Sequence, residues 1–348
     1  MHYQTFGRLT GLRVSEYALG TANVGTSDGS TGLEGARQIV DAFAAAGGTT
    51  IDTSNIYRGG ESETVLGEVL AGRRDDFVLI TKYTGTREAT PRPGTTGNSR
   101  KVMIRSLEQS LRRLRTDYVD VYMPHFPDGV TPAEEILAGF DDLVRAGKIR
   151  HGGLSNFPAW RVAGTALRAD LRGLAPVVGI QTEYSLAERS GEREMLPMAE
   201  AHGLGVVTYS PLAGGLLTGK YRRGEQGRLS ARGDALEGTA RRTAVVDAVL
   251  EIADELGTSA TLVSLAWLRR RAALSPTAVI PIVGPKTVAQ LDAYLQSLDL
   301  DLGDEHYRRL DEVSAVPLGT PHEDVSGALQ HGADGDRSRL RAPVVPVI

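Results

Sequence analysis

The sequence predicts an α/β protein whose parallel strands close into an eight-stranded barrel, a (β/α)8 architecture. Three observations lead there. Short β-type runs alternate with longer helix-type runs almost throughout, the order that builds a parallel sheet. The strand-type runs number eight, the count at which such a sheet closes. No G-x-G-x-x-G follows an early strand, and the only G-x-G, Gly203 to Gly205, precedes its strand, which disfavours an open doubly wound sheet.

The elements follow in order. An N-terminal hairpin is expected first, and "LRVSEYALG" (12–20) ends in the first barrel strand. "GTTID", "FVLITK", "DYVDVYM", "KIRHGGLS", "VVGIQTE", "GVVTYS" and "TAVIPIVG" supply the rest, bounded by glycine, aspartate or proline. Between them, "LEGARQIVDAFAAAG" puts Ile39, Val40 and Phe43 on one face and ends in glycine. "SETVLGEVLAG" groups Val65, Leu66, Val69 and Leu70 behind Ser62, the expected N-cap. "SRKVMIRSLEQSLRRL", "PAEEILAGFDDLVRAG", with proline at the first helical position, and "TVAQLDAYLQSL" repeat the pattern. Residues 1–348 read as one barrel domain with extra C-terminal helices. Segments 83–98 and 209–240 and the tail 315–348 are long enough to cover the C-terminal face, where barrel chemistry sits.

Composition narrows the function. The chain is 41% hydrophobic and 24% charged with a net charge of −4, so neither a nucleic-acid nor a membrane-surface partner is expected. It has no cysteine, which excludes disulfides and thiolate chemistry and fits a cytoplasmic location. No basic-then-apolar leader or long apolar run is present. No helical face reads as too apolar to be exposed, so the sequence sets no oligomeric state.

Titratable residues gather at the strand ends: Asp52 and Tyr57 after the second strand, Lys82 ending the third, and His125 after the fourth. Singly, each has an ordinary explanation, such as a strand surfacing or a turn bonding its own backbone. Together at one end of consecutive strands they form a proton-handling set. A lysine cation about 4 Å from a phenol favours the phenolate by roughly 4 kcal/mol at an effective dielectric of about 20. That moves the phenol down by up to about three pKa units from about 10, with desolvation opposing. The aspartate keeps the lysine charged and aimed, and the histidine bonds a substrate oxygen or passes a proton. Such a site protonates an oxygen, as carbonyl reduction requires.

With "IDTSNIY", the lysine of "LITK", "DYVDVYMPH", "GKIRHGGLSNF", "QTEYSL", "YSPLAGGLLTGKY" and "IPIVGPKTVAQL" in this order, residues 3–315 resemble an aldo-keto reductase. The likeness is to the branch of the aryl-alcohol dehydrogenases and channel β-subunits. The resemblance implies a TIM barrel that uses NADPH, with a tetrad of Asp52, Tyr57, Lys82 and His125 and Tyr57 as general acid. It implies that Ser155, Asn156 and Gln181 hold the nicotinamide carboxamide and that Tyr209 stacks on its ring. Ser210, Leu212 and Gly214 match the loop along the pyrophosphate, and Gly20, Thr21 and Gly284 match positions beside the cofactor. Lys220 and Lys286 match basic positions near the phosphates, and Gln290 matches an adenosine contact. Ala293 and Tyr294 stand where the family often has Glu-Asn, so the grip on adenine differs. Lys286 replaces the usual Arg or Ser, and still offers a cation to a 2′-phosphate.

Other readings fare worse. "GGLLTGKY" nearly spells a phosphate-binding loop, but Tyr221 stands where Ser or Thr would hold Mg²⁺. The seven histidines form no H-x-H or H-E-x-x-H pair. An NADP(H)-binding redox sensor with little turnover is the main alternative, but the branch that does this commonly lacks the histidine present here as His125. For the substrate, Tyr83 and Phe126 are candidate apolar walls, and Arg87, Arg92 and Arg100 hint at a polar or anionic molecule.

Overall fold

The computed structural model describes residues 1–232, 237–323 and 325. The chain opens with an antiparallel hairpin, β1 (Tyr3–Thr5) and β2 (Arg13–Ser15). Eight parallel strands then close in the order of the chain: β3 (Ala18–Gly20), β4 (Thr50–Asp52), β5 (Val78–Tyr83), β6 (Val119–Pro124), β7 (Ile149–Ser155), β8 (Val177–Glu183), β9 (Gly205–Tyr209) and β10 (Val279–Val283), the last pairing back to β3.

The period-2 alternation of strands builds two cores. Ala18, Val78, Ile80, Val121, Met123, Val178, Val207 and Ile280 fill the barrel interior. Phe6, from the hairpin, closes its floor. Only glycine fits against that ring, because a Cβ at Gly179 or Gly205 would lie 2.5 or 2.3 Å from it. The alternate residues face outward onto α1 (Gly32–Ala45), α2 (Glu61–Val69), α3 (Arg100–Leu114), α4 (Ala133–Arg145), α5 (Ala159–Arg172) and α6 (Met195–His202). Ile39, Val40 and Phe43 of α1, and Val65, Leu66 and Val69 of α2 with Leu70 just beyond it, are buried as their spacing requires. Pro132 caps α4 one residue ahead of its first turn.

After β9 the 209–240 segment is less open than its composition suggests. It contains two 3₁₀ turns, Ala213–Thr218 and Lys220–Arg223, and a short helix, α7 (Arg228–Arg232). Helices α8 (Ala240–Glu255), α9 (Ala260–Ala273) and α11 (Gly303–Ser314) share a second apolar cluster around Trp267, and α10 (Val288–Leu295) follows β10. Residues 233–236, and the tail beyond 323 apart from Val325, lie outside the described residues.

Two expectations are corrected. Ser62 is not the N-cap of α2. Gly60, in the left-handed region at φ +91°, holds that place, while the Ser62 hydroxyl donates to the Thr21 carbonyl. One helical face is also strongly apolar and exposed. Trp160, Leu167 and Leu171 of α5 are 77%, 51% and 78% exposed at i, i+7 and i+11, so they form a single stripe.

Candidate active site

Four side chains meet at the C-terminal mouth. Asp52 ends β4, Lys82 stands one residue before the end of β5, and His125 follows β6. Tyr57 opens the 3₁₀ turn Tyr57–Gly60 beyond β4. The alternation that sends Val78 and Ile80 inward carries Lys82 with them. Its ammonium is wholly buried and donates at 2.8 Å to both Asp52 oxygens and to the Thr53 carbonyl. The Tyr57 hydroxyl lies 3.5 Å from the same nitrogen.

Burial alone would pull the Lys82 pKa down, but Asp52 and Tyr57 outweigh it and the net direction is up, so the ammonium persists. For Tyr57, burial wins. It pushes the phenol above its ordinary value of 10.0 although Lys82 pulls the other way. The expected downward shift is therefore corrected: Tyr57 is a neutral phenol at neutral pH. His125 is pushed down to about 3, by burial first and the Lys82 cation second, and is a neutral imidazole. Its Nδ1 pairs with Ser54 Oγ at 3.1 Å, and its ring meets that of Tyr57 edge-on, with centroids 5.8 Å apart. A fixed cation, a neutral phenol and a neutral imidazole around one opening can deliver a proton to an oxygen.

The opposite half of the mouth is made by β7 to β10. Ser155 ends β7, and Asn156 follows at φ +59°. Asn156 donates to the His125 carbonyl and accepts from the Tyr209 hydroxyl, both at 2.9 Å. Gln181 of β8 donates to Asp52 Oδ2 at 2.8 Å, which joins the two halves. Among the described residues, six non-glycines have positive φ, and five of them (Arg58, Thr84, Asn156, Ser210 and Ala213) lie in loops leaving strands at this mouth. Such backbone costs about 1–3 kcal/mol per residue and concentrates at functional faces. Lys220 lies over the Tyr221 ring at 5.0 Å, and neither it, Arg228 nor Lys286 has a carboxylate partner among the described residues. No described group of three or more His, Asp or Glu side chains forms a metal site.

The aldo/keto reductase sequence profile matches residues 17–315. The chain belongs to the aldo/keto reductase family. Its relatives include an uncharacterised oxidoreductase of Bacillus subtilis, 37% identical over 93% of this chain and 99% of the relative. The norsolorinic acid reductase stcV of Emericella nidulans is 33% identical over 92% and 83%. The NADP(+) aryl-alcohol dehydrogenase of Phanerodontia chrysosporium is 32% identical over 90% and 86%.

Within this aldo/keto reductase, the residues singled out by sequence fall into three groups. Asp52, Tyr57, Lys82, His125, Asn156, Gln181 and Tyr209 form one connected cluster through the contacts above. Ser155 adjoins it, accepting from Asn156 Nδ2 at 3.2 Å. A second group supports the mouth from below. Thr21 is buried, and its N–H and hydroxyl both donate to the Asp52 carbonyl. A Cβ at Gly20 would lie 2.5 Å from Ile282, so this position serves close strand packing. Gly284 accepts from Asn23 Nδ2, and Leu212 packs against the outer core. The third group lies farther along the rim. Tyr221 donates to the Gly214 carbonyl, the Lys286 N–H donates to Gln290 Oε1, and Tyr294 is half-buried against the outer core.

Tyr83 does not belong to the site. It follows Lys82 on the same strand, so it faces outward, where it is buried and stacked on Tyr122 with centroids 4.9 Å apart. Phe126, 43% exposed and 5.8 Å from the His125 ring, remains beside the opening. Arg228 went unrecognised in the sequence. Its charge acts on both Tyr57 and Tyr294. One arginine in a loop rich in them gives no positional signal. Ser54, which orients His125, lay unremarked within "IDTSNIY". A cavity of about 390 Å³ is lined in part by Tyr209, Thr182, Glu183, Glu188 and Met195, but none of Asp52, Tyr57, Lys82 and His125 borders it.

Proposed function

We propose that this aldo/keto reductase reduces aldehydes and ketones with NADPH, and that Tyr57 is the general acid. The observation that carries this reading is a neutral phenol held beside a buried ammonium and a neutral imidazole. The side chains on the β7–β10 half suit a nicotinamide dinucleotide: two amides and a hydroxyl near the proton donor, an aromatic ring, then cations. Bound NADPH would supply a hydride to the carbonyl carbon. Ser155, Asn156 and Gln181 would hold the carboxamide, with Asn156 exchanging its bond to Tyr209 for one to the cofactor. Tyr209 would back the ring. Ser210, Leu212 and Gly214, with Gly20, Thr21 and Gly284, would border the pyrophosphate, and Gln290 the adenosine. His125 would orient the carbonyl oxygen, and Tyr57 would give it a proton while Lys82 stabilises the phenolate left behind.

Preference for NADPH over NADH follows from Lys220, Arg228 and Lys286, cations with no acidic partner among the described residues. The names of two relatives, an NADP(+) aryl-alcohol dehydrogenase and a norsolorinic acid reductase, support the same cofactor and chemistry. Segments 83–98 and 209–240 would cover the site with the tail 315–348, and the setting would be the cytoplasm. A redox sensor that binds NADP(H) without turnover is the second reading, and the presence of His125 favours the enzyme.

The test is NADPH consumption across aromatic aldehydes, quinones and keto-sugars, with both cofactors titrated by fluorescence. Steady turnover with at least one class supports the reductase, whereas binding without turnover supports the sensor. Lys286→Ala should weaken NADPH more than NADH, by the roughly 1.5–3 kcal/mol of a charged hydrogen bond. Equal losses would remove Lys286 from the 2′-phosphate.

A further inference from the structure

We infer that Arg87 is a specificity-determining residue that selects carbonyl substrates bearing an anionic group, a carboxylate being the simplest case. The inference rests on the reductase reading above and adds the substrate's class.

Four arginines lie in or beside the segment between β5 and α3, and the structure separates one from the rest. Arg92 and Arg105 both bond Glu88, and Arg100 pairs with Asp142. Arg87 is exposed and has no hydrogen bond or ion pair among the described residues. Acids on the flanking segments are committed elsewhere: Glu61 accepts from the Thr26 and Ser27 N–H groups, and Glu63 from Thr81 and Arg113. The planar fork of donors that suits a carboxylate is thus left free.

Arg87 lies close to the turn that carries the proposed proton donor. The Arg87 Nε and Cζ each lie 2.7 Å from where a Cβ on Gly60 would stand, so the guanidinium rests on the turn that begins at Tyr57. The segment carrying it is tied at its root. Asn55, two residues before Tyr57, donates to the Gly85 carbonyl at 2.9 Å, and the Gly97 N–H donates to the Thr84 carbonyl. Asn98 donates to the Phe126 carbonyl, beside His125. Arg87 therefore stands on the β4–β6 side of the mouth, across from the β7–β10 side where the dinucleotide would lie. An anion there meets the substrate half of the opening.

The experiment compares 3- and 4-formylbenzoate, each against its uncharged amide, with NADPH as reductant. Wild type should favour the acid of at least one pair by about 10-fold or more in kcat/KM, carried by KM, as one charge-assisted hydrogen bond allows. Arg87→Gln should erase that preference while leaving the amide's kcat/KM and NADPH affinity unchanged, and Arg87→Lys should keep part of it. The inference is overturned by no preference in either pair, or by equal effects of Arg87→Gln on acid and amide. Weakened NADPH binding in Arg87→Gln would instead make Arg87 a cofactor residue and overturn it too. Wild type that reduces other aldehydes but none of these four compounds would overturn this inference alone, whereas wild type that reduces no aldehyde or ketone would sink the reductase reading and this inference with it.

Discussion

Thr81 and Lys82 are neighbours on β5, and each serves a different buried charge pair. Lys82 points into the barrel and meets Asp52. Thr81 points outward and donates to Glu63 at 2.6 Å, whose other oxygen takes Arg113 of α3 at 2.8 and 2.6 Å. The outer set is closed, with both carboxylate oxygens bonded and the pair wedged between α2, α3 and the barrel. The inner set is open. After both Asp52 oxygens and the Thr53 carbonyl are satisfied, the ammonium still faces the Tyr57 hydroxyl at 3.5 Å, a contact longer than the others. Both pairs carry the desolvation cost of buried charge. The outer pair locks helices together, whereas the inner one leaves its cation facing the mouth, where the proposed reaction would place new charge.

Breaking the inner pair should have the larger effect. Lys82→Met leaves Asp52 buried without its cation, so denaturant unfolding should show a loss of about 3–5 kcal/mol. Turnover per folded molecule should fall by about 10²-fold or more, since a phenolate formed at Tyr57 loses its partner. Breaking the outer pair should separate these effects. Arg113→Met should cost a similar 3–5 kcal/mol by orphaning Glu63, while kcat/KM of the folded fraction stays unchanged. A drop in kcat/KM there would show that the two pairs are coupled through β5.

A further effect concerns acid. The folded pKa of His125, about 3, lies below the unfolded value of about 6.5. The unfolded chain therefore binds the extra proton between these values. Stability from the neutral imidazole is complete above about pH 6.5 and lost as pH falls toward about 3, by at most about 1.4 kcal/mol per pH unit. Denaturation of His125→Asn from pH 7 to 4 should show a shallower decline than wild type. Parallel curves would mean that His125 titrates normally.

The same strand explains why the site was only partly legible in the sequence. The barrel, and the meeting of Asp52, Tyr57, Lys82 and His125 at one mouth, could be read from strand count and residue type at strand ends, because chain order fixes which ends meet. A substrate wall at Tyr83 conflicts with the alternation that sends it and Lys82 to opposite faces of β5. The direction of the Tyr57 pKa depends on how completely the pocket dries, and no spacing encodes that. The place of Arg228 depends on how α7 is set against the mouth, which its own sequence does not encode. On α5, Val162 and Ala166 alternate with Trp160 and Leu167, so both faces look apolar and the exposed one gives no signal. Gly60 took the cap from Ser62 because the turn after Tyr57 needs positive φ, which glycine tolerates.

The central claim is that the open pair serves a proton held by Tyr57, and single-turnover reduction by Tyr57→Phe tests it most directly. The substitution removes one oxygen and keeps the ring packed against His125, so NADPH binding by fluorescence should match wild type. Reduction of the best aldehyde should slow by about 10²–10⁴-fold. A variant that binds NADPH and reduces that aldehyde at the wild-type rate would contradict the account, because the proton would then come from elsewhere.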